Sequence, residues 1–180
     1  MGGKWLELLS EIAPGLKRAA LMFNPETATA SLYLPSLETA ARLLKVALIT
    51  APVHGDVETE TVIIALGREP GGGLVVMPDI FTGAHRVPII STAARNNVPA
   101  VYGASVWARD GGLLSYEPNN VDTYRGAASY VDRILRGAKP GDLPVQLPTK
   151  FEMVVNRKTA TALGLAIPPS ILLRADEVIE

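Results

Sequence analysis

Residues 18–23 (RAALMF), 46–53 (VALITAPV), 73–78 (GLVVMP) and 98–103 (VPAVYG) are continuous apolar runs without polar alternation. A strand with one wet face alternates apolar and polar residues, so unbroken runs imply strands covered on both faces. Segments of helical spacing separate most of them, and strand–helix alternation of this kind implies a parallel sheet between helical layers. Residues 111–117 (GGLLSYE) read as a fifth strand. The helices between are expected at residues 32–44, with Leu34, Leu37, Ala41 and Leu44 inward, at residues 56–70, and from about Arg86 onward, where Pro88 falls in a first turn. Ahead of the first strand, Trp5, Leu8, Leu9 and Ile12 fall on one face of a short helix that Pro14 and Gly15 end.

Beyond the fifth strand, Val121, Tyr124, Ala127, Ala128, Val131, Ile134 and Leu135 share a face of a further helix. Residues 136–150 (RGAKPGDLPVQLPTK) read as an extended linker, after which the segment from Phe151 gives a strand and then a short helix stopped near Gly164. The last apolar run, SILLRA at residues 170–175, reads as strand-like. A tail after such a linker suggests a chain that leaves one lobe and returns to it.

Several function classes are disfavoured. With 180 residues, 48% of them hydrophobic, the chain can bury a sizeable core. A net charge of -1 argues against a broad nucleic-acid surface. Cysteine is absent, and the two histidines, His54 and His85, lack the spacing of a metal motif. No apolar run approaches the roughly 18 residues of a membrane span. Glu7 and Glu11 interrupt the N-terminal stretch where an export signal needs apolar residues. The triple glycine at residues 71–73 precedes its strand, whereas phosphate loops follow one, so it reads as a flexible turn. Neither a nucleophile elbow nor a clear carboxylate pair is present. No cofactor and no catalysis are expected.

Two turns carry the remaining polar chemistry. Residues 21–27 (LMFNPET) and 75–82 (VVMPDIFT) each close an apolar strand with proline, an acid and a nearby threonine. Both fall at carboxyl ends of parallel strands, the edge where open α/β sheets bind ligands. The first supplies Asn24, Glu26, Thr27, Thr29 and Ser31, and the second Asp79, Phe81 and Thr82. Tyr102 and Trp107 add aromatic surface beyond the fourth strand. Such a set suits a small amphoteric ligand, whose amine wants a carboxylate and whose carboxylate wants hydroxyls or N–H groups. The alternative reading has Ser31 capping a helix, Asp79 turning the chain and the aromatics packing inward.

The order of segments from "GGKWLELLSEIAPGLKRAALMFNPETATAS" through "LVVMPDIFTGAHR" and "PAVYG" to "GGLLSYEP" and "FEMVVNRKTATALGL" resembles the C-terminal portion of the ABC transporter substrate-binding protein family. The resemblance covers essentially the whole chain. It implies an α/β fold, a parallel-sheet three-layer sandwich like one lobe of a type I periplasmic binding protein, with partial elements of a second lobe. It implies residues 1–15 as a hinge helix, 16–115 as the ligand-binding lobe, 116–147 as a helix and linker reaching toward a first lobe, and 148–180 as a returning tail. Asn24, Glu26, Ser31, Asp79 and Tyr102 would lie on the cleft face. The implied role is uptake of a small solute, an aromatic amino acid for some members, handed to an ABC permease. The implied location is periplasmic, although the chain as written shows no signal peptide and by itself would be cytoplasmic. Family members carry a signal and a first lobe ahead of this segment, so half the cleft is expected to be missing and the uncovered helix face to drive self-association. Two other readings remain at this stage: a small Rossmann-like enzyme using Asp79 or His85, and an effector-binding or oligomerisation module of a regulator.

Overall fold

The computed structural model describes residues 1–180. Seven strands form one sheet: β1 (Arg18–Phe23), β2 (Ala47–Pro52), β3 (Gly72–Val76), β4 (Ala100–Tyr102), β5 (Leu114–Pro118), β6 (Phe151–Asn156) and β7 (Glu177–Ile179). Their order is β2-β1-β3-β4-β5-β6-β7. The first five are parallel, as the unbroken apolar runs imply, whereas β6 runs antiparallel to β5 and β7 parallel to β6. Along each central strand, alternate residues enter opposite cores, Leu21 and Met22, Val75 and Val76, Val101 and Tyr102.

The handedness of parallel crossovers decides which helix covers which face. From β2 onward the chain steps steadily across the sheet, so α3 (Asp56–Gly67), α5 (Arg86–Arg95) and α6 (Ser105–Arg109) share one face. The step from β1 to β2 goes the other way and places α2 (Leu34–Leu44) on the opposite face. Alone it would leave half that face wet. The N-terminal helix α1 (Gly2–Ile12) fills the gap, with Trp5, Leu6, Leu8, Leu9 and Ile12 fully buried. Its close approach to α2 depends on Gly3, where a Cβ would stand 2.8 Å from the Ser36 carbonyl oxygen. The Trp5 indole N–H donates to the Tyr116 carbonyl at 2.7 Å, and its ring stacks on Tyr33. α1 is therefore part of the lobe's core.

The helix expected from about Arg86 is α5, with Pro88 in its first turn where no N–H is needed, and a short helix not expected from the sequence, α4 (Ile80–Ala84), capped by Asp79, precedes it. Two sequence expectations need correction. Residues 170–175 are not a strand: Pro169 starts a short helix, α9 (Pro169–Leu172), whose Ile171 is buried against the α1 face. The final strand is β7 instead. In α2, Leu37 and Ala41 are buried but Leu44 is exposed at the helix end. The short helix after β6 is α8 (Arg157–Ala162).

α7 (Asn120–Leu135) stands apart. None of its 16 residues is buried, and Tyr124, Val131 and Leu135 are exposed on its apolar side. Residues 143–150 run back beside it as extended chain. Asn119 and Lys150 join at its base through one backbone hydrogen bond of 2.9 Å.

Candidate functional site

In a sheet ordered β2-β1-β3-β4-β5, successive connections leave β1 on opposite sides, and a crevice opens beyond the carboxyl ends of β1 and β3. The two polar turns meet there. Asp79 is the N-cap of α4, and its Oδ1 accepts the Thr82 backbone N–H at 2.7 Å. The other oxygen accepts the Asn24 N–H at 3.2 Å, and the Thr27 hydroxyl donates to Oδ1 at 3.3 Å. One carboxylate thus ties the loop after β1 to the loop after β3. The side-chain oxygen of Asn24 turns back to accept the Glu26 N–H at 2.8 Å, which shapes the first loop.

The expected residues fall into two groups. Glu26, Thr27 and Ser31 are exposed, and Asp79 and Phe81 are half-buried at the rim. The Phe81 ring stacks on the His85 imidazole with centroids 4.2 Å apart. Asn24, Thr82 and Tyr102 lie beneath that surface. The Thr82 hydroxyl donates to the Met77 carbonyl at 2.8 Å and so closes the turn from inside. Tyr102 is 1% exposed; its ring stacks on Trp107 and lies over Gly112, at the amino end of β5. Strand alternation turns Tyr102 into the α6 face, and burial pushes its hydroxyl well above the ordinary phenol range. The aromatic pair expected as rim surface is core packing.

The histidines are both held at helix ends. His85 Nδ1 lies 2.8 Å from the Phe81 carbonyl oxygen and Nε2 lies 3.4 Å from Asp56. The His54 backbone N–H and ring both bond Glu58, and these bonds hold the Glu58 carboxyl below its usual range. No cluster of three or more histidine, aspartate or glutamate side chains could hold a metal ion.

A residue the sequence did not single out also stands at this edge. Glu117, near the end of β5, is 7% exposed. Its carboxylate accepts the Ser105 N–H at the start of α6 and the Asn120 side-chain N–H at 3.1 Å at the start of α7. Across the β5–β6 register it faces Glu152. Glu152 and Glu177 share the Arg109 guanidinium at 2.8 and 2.7 Å, and Glu177 above all raises the Arg109 pKa. The available signal was alternation: Ser115 and Glu117 occupy one face of a central strand whose Leu114 and Tyr116 occupy the other.

A concavity of about 810 Å³ lies away from this edge, between α7 and residues 145–150, where Thr123, Ala127, Tyr130 and Leu147 line it. No helix is long and apolar enough to cross a membrane.

A family model described as ABC transporter substrate binding protein matches residues 3–179. No curated protein matches the chain. Solved structures similar to it include a conserved domain protein from Vibrio cholerae O1 biovar El Tor, at 24% identity and a TM-score of 0.86, over 98% of this chain and 60% of that one. An ABC domain in complex with L-Trp from Streptococcus pneumonia matches at 22% identity and a TM-score of 0.87, over 99% of this chain and 60% of that one. The ligand-free, open structure of a substrate binding protein with adhesive properties from Clostridium difficile matches at 21% identity and a TM-score of 0.74, over 98% of this chain and 59% of that one. At these identities the likeness concerns the fold, and the chain spans about 60% of the length of the first two structures.

Proposed function

The chain belongs to the ABC transporter substrate-binding protein family, and from that premise we propose that it forms one wall of a cleft that binds a small solute for an ABC-type uptake system. The ligand class is an amino acid, aromatic ones included, in keeping with the L-Trp complex of a structurally similar protein. The observation that carries the reading is the Asn24–Asp79 link, which gathers two polar turns at the switch point of the sheet. Glu26, Thr27, Ser31, Asp79 and Phe81 form the rim that meets the ligand. Asn24 and Thr82 hold that rim from below, and Tyr102 packs in the core behind it. The chemistry is binding, with no bond made or broken.

Binding proteins of this kind work by closing two lobes on a ligand and presenting the closed form to a permease outside the cytoplasm. α7 and residues 143–150 are the arm that reaches the opposite lobe, which explains why a 16-residue amphipathic helix buries nothing against this one. In the 180-residue chain the same apolar side drives self-association.

The test is a thermal-shift panel of the common L-amino acids at millimolar concentration. A ligand present at ten times its Kd stabilises by about 1.4 kcal/mol. For a domain of this size that raises Tm by roughly 3–5 °C. An aromatic amino acid is expected to give such a shift, unchanged in mass after incubation. No shift across the whole panel overturns the reading.

A further inference from the structure

Asp79 is a poor partner for a ligand's amine, because three protein donors already occupy its two oxygens. Glu117 differs in three ways. It is buried at the same carboxyl edge, it accepts only two hydrogen bonds, and it makes no ion pair with any lysine, arginine or histidine. An ionised carboxylate offers about four acceptor positions, so about two are left. A buried anion without a counter-charge is costly, and a cation that arrives with the ligand removes that cost.

The surroundings sharpen this. Glu117, Glu152 and Glu177 place three carboxylates along the α6 side of β5, β6 and β7, with the Arg109 guanidinium bonded to Glu152 and Glu177. Two residues before Glu117 on the same strand face, Ser115 is fully buried and its Oγ has no hydrogen-bond partner. It is the one buried side-chain polar atom in the chain left so. Buried polar groups are nearly always satisfied, and an exception beside an uncompensated carboxylate marks a place for a donor that the protein does not supply.

We propose that Glu117 anchors the ammonium group of an amino-acid or amine ligand, with Ser115 beneath it as a further acceptor. The inference rests on the solute-binding reading and deepens it: the ligand is cationic at the end that enters between β5 and α6. Its aromatic or apolar remainder extends toward Phe81 and the rim at Asp79.

The Ser105 amide is a built-in reporter, because its N–H is bonded to the Glu117 carboxylate. The experiment follows 1H–15N spectra of the full chain titrated with L-tryptophan, tryptamine and indole-3-propionate, in the wild type and in Glu117→Gln. L-Tryptophan and tryptamine are expected to move the Ser105 resonance and indole-3-propionate to leave it in place. Glu117→Gln is expected to weaken both amines at least tenfold, and Glu117→Asp to fall between. If Ser105 stays in place while Thr27 and Thr82 respond, the solute-binding reading stands and the Glu117 anchor is overturned. An equal response to indole-3-propionate overturns it too. If no resonance moves with any of the three, both fall. Thermal melting confirms that each variant is folded, and the comparison of ligands on the wild type decides the matter without them.

Discussion

Replacing Asp79 by alanine removes the one group that joins the two ligand-facing turns. The Thr82 N–H loses its cap, worth about 1 kcal/mol for such a substitution. The Asn24 N–H belongs to a residue only 5% exposed, so leaving it unpaired costs about 1–2 kcal/mol more. The Thr27 hydroxyl is exposed and finds water, and its loss contributes little. The total is about 2–3 kcal/mol, which for a domain of this size lowers Tm by roughly 5–10 °C. Asp79→Asn keeps an oxygen for the Thr82 cap but offers an amide N–H2 where the Asn24 N–H needs an acceptor, so it is expected to lose about 1–2 kcal/mol, less than alanine by roughly the cap. Calorimetric melting of the wild type and both variants, with urea unfolding as a second measure, reads the result directly. An Asp79→Ala protein that melts within about 1 °C of the wild type refutes the argument, as does an asparagine variant no better than alanine.

Other expectations follow from the same geometry. A methyl group at Gly72 collides with the Leu66 carbonyl oxygen, so Gly72→Ala is expected to destabilise by about 1–3 kcal/mol, and an unchanged urea midpoint contradicts that packing. Burial opposes ionisation of Glu11, yet the Ser170 hydroxyl at 2.6 Å and the Arg174 guanidinium overcome it and hold the carboxyl below its usual range. A lowered folded pKa gives stability above the unfolded value of about 4.3 that is lost as pH falls through the folded one. The stability gap between wild type and Glu11→Gln, about 0.5 kcal/mol at pH 7 for a partly exposed pair, is therefore expected to narrow as the pH falls below the unfolded value. A gap independent of pH contradicts the assignment. Light scattering of the chain is expected to show mass rising through the micromolar range, and Tyr124→Glu with Leu135→Glu to lower it; a clean monomer contradicts self-association through α7.

The central sheet was legible because unbroken apolar runs leave few other folds, and so was its carboxyl edge as the ligand side, whereas the switch point depends on the strand order, which only the structure supplies. Asp79 was legible as a strand-end acid beside Thr82, but its role as the N-cap of α4 was not, because no helix was expected before about Arg86. What periodicity missed were features decided by contacts distant in sequence. SILLRA is apolar enough for a strand, but Pro168 and Pro169 set a helix start and Ile171 docks on the α1 face. The reversed direction of β6 comes from the long excursion through α7, which returns the chain beside β5 from the carboxyl end. Gly71, Gly72 and Gly73 read as a flexible turn. Gly71 does adopt a positive φ of 89°, while the other two are tightly packed at the start of β3. Glu117 was hidden because a polar residue inside a short strand usually faces water, and only the position of α6 makes this one buried.

The most direct test of the proposed cleft is photoaffinity labelling of the chain with a diazirine-bearing aromatic amino acid, followed by peptide mapping. Labels are predicted in the carboxyl-edge peptides that contain residues 24–31, 79–85 and 103–120, competed away by unmodified ligand. Competable labels at the amino edge, around Lys45 or Gly71, with none in those peptides would contradict the account.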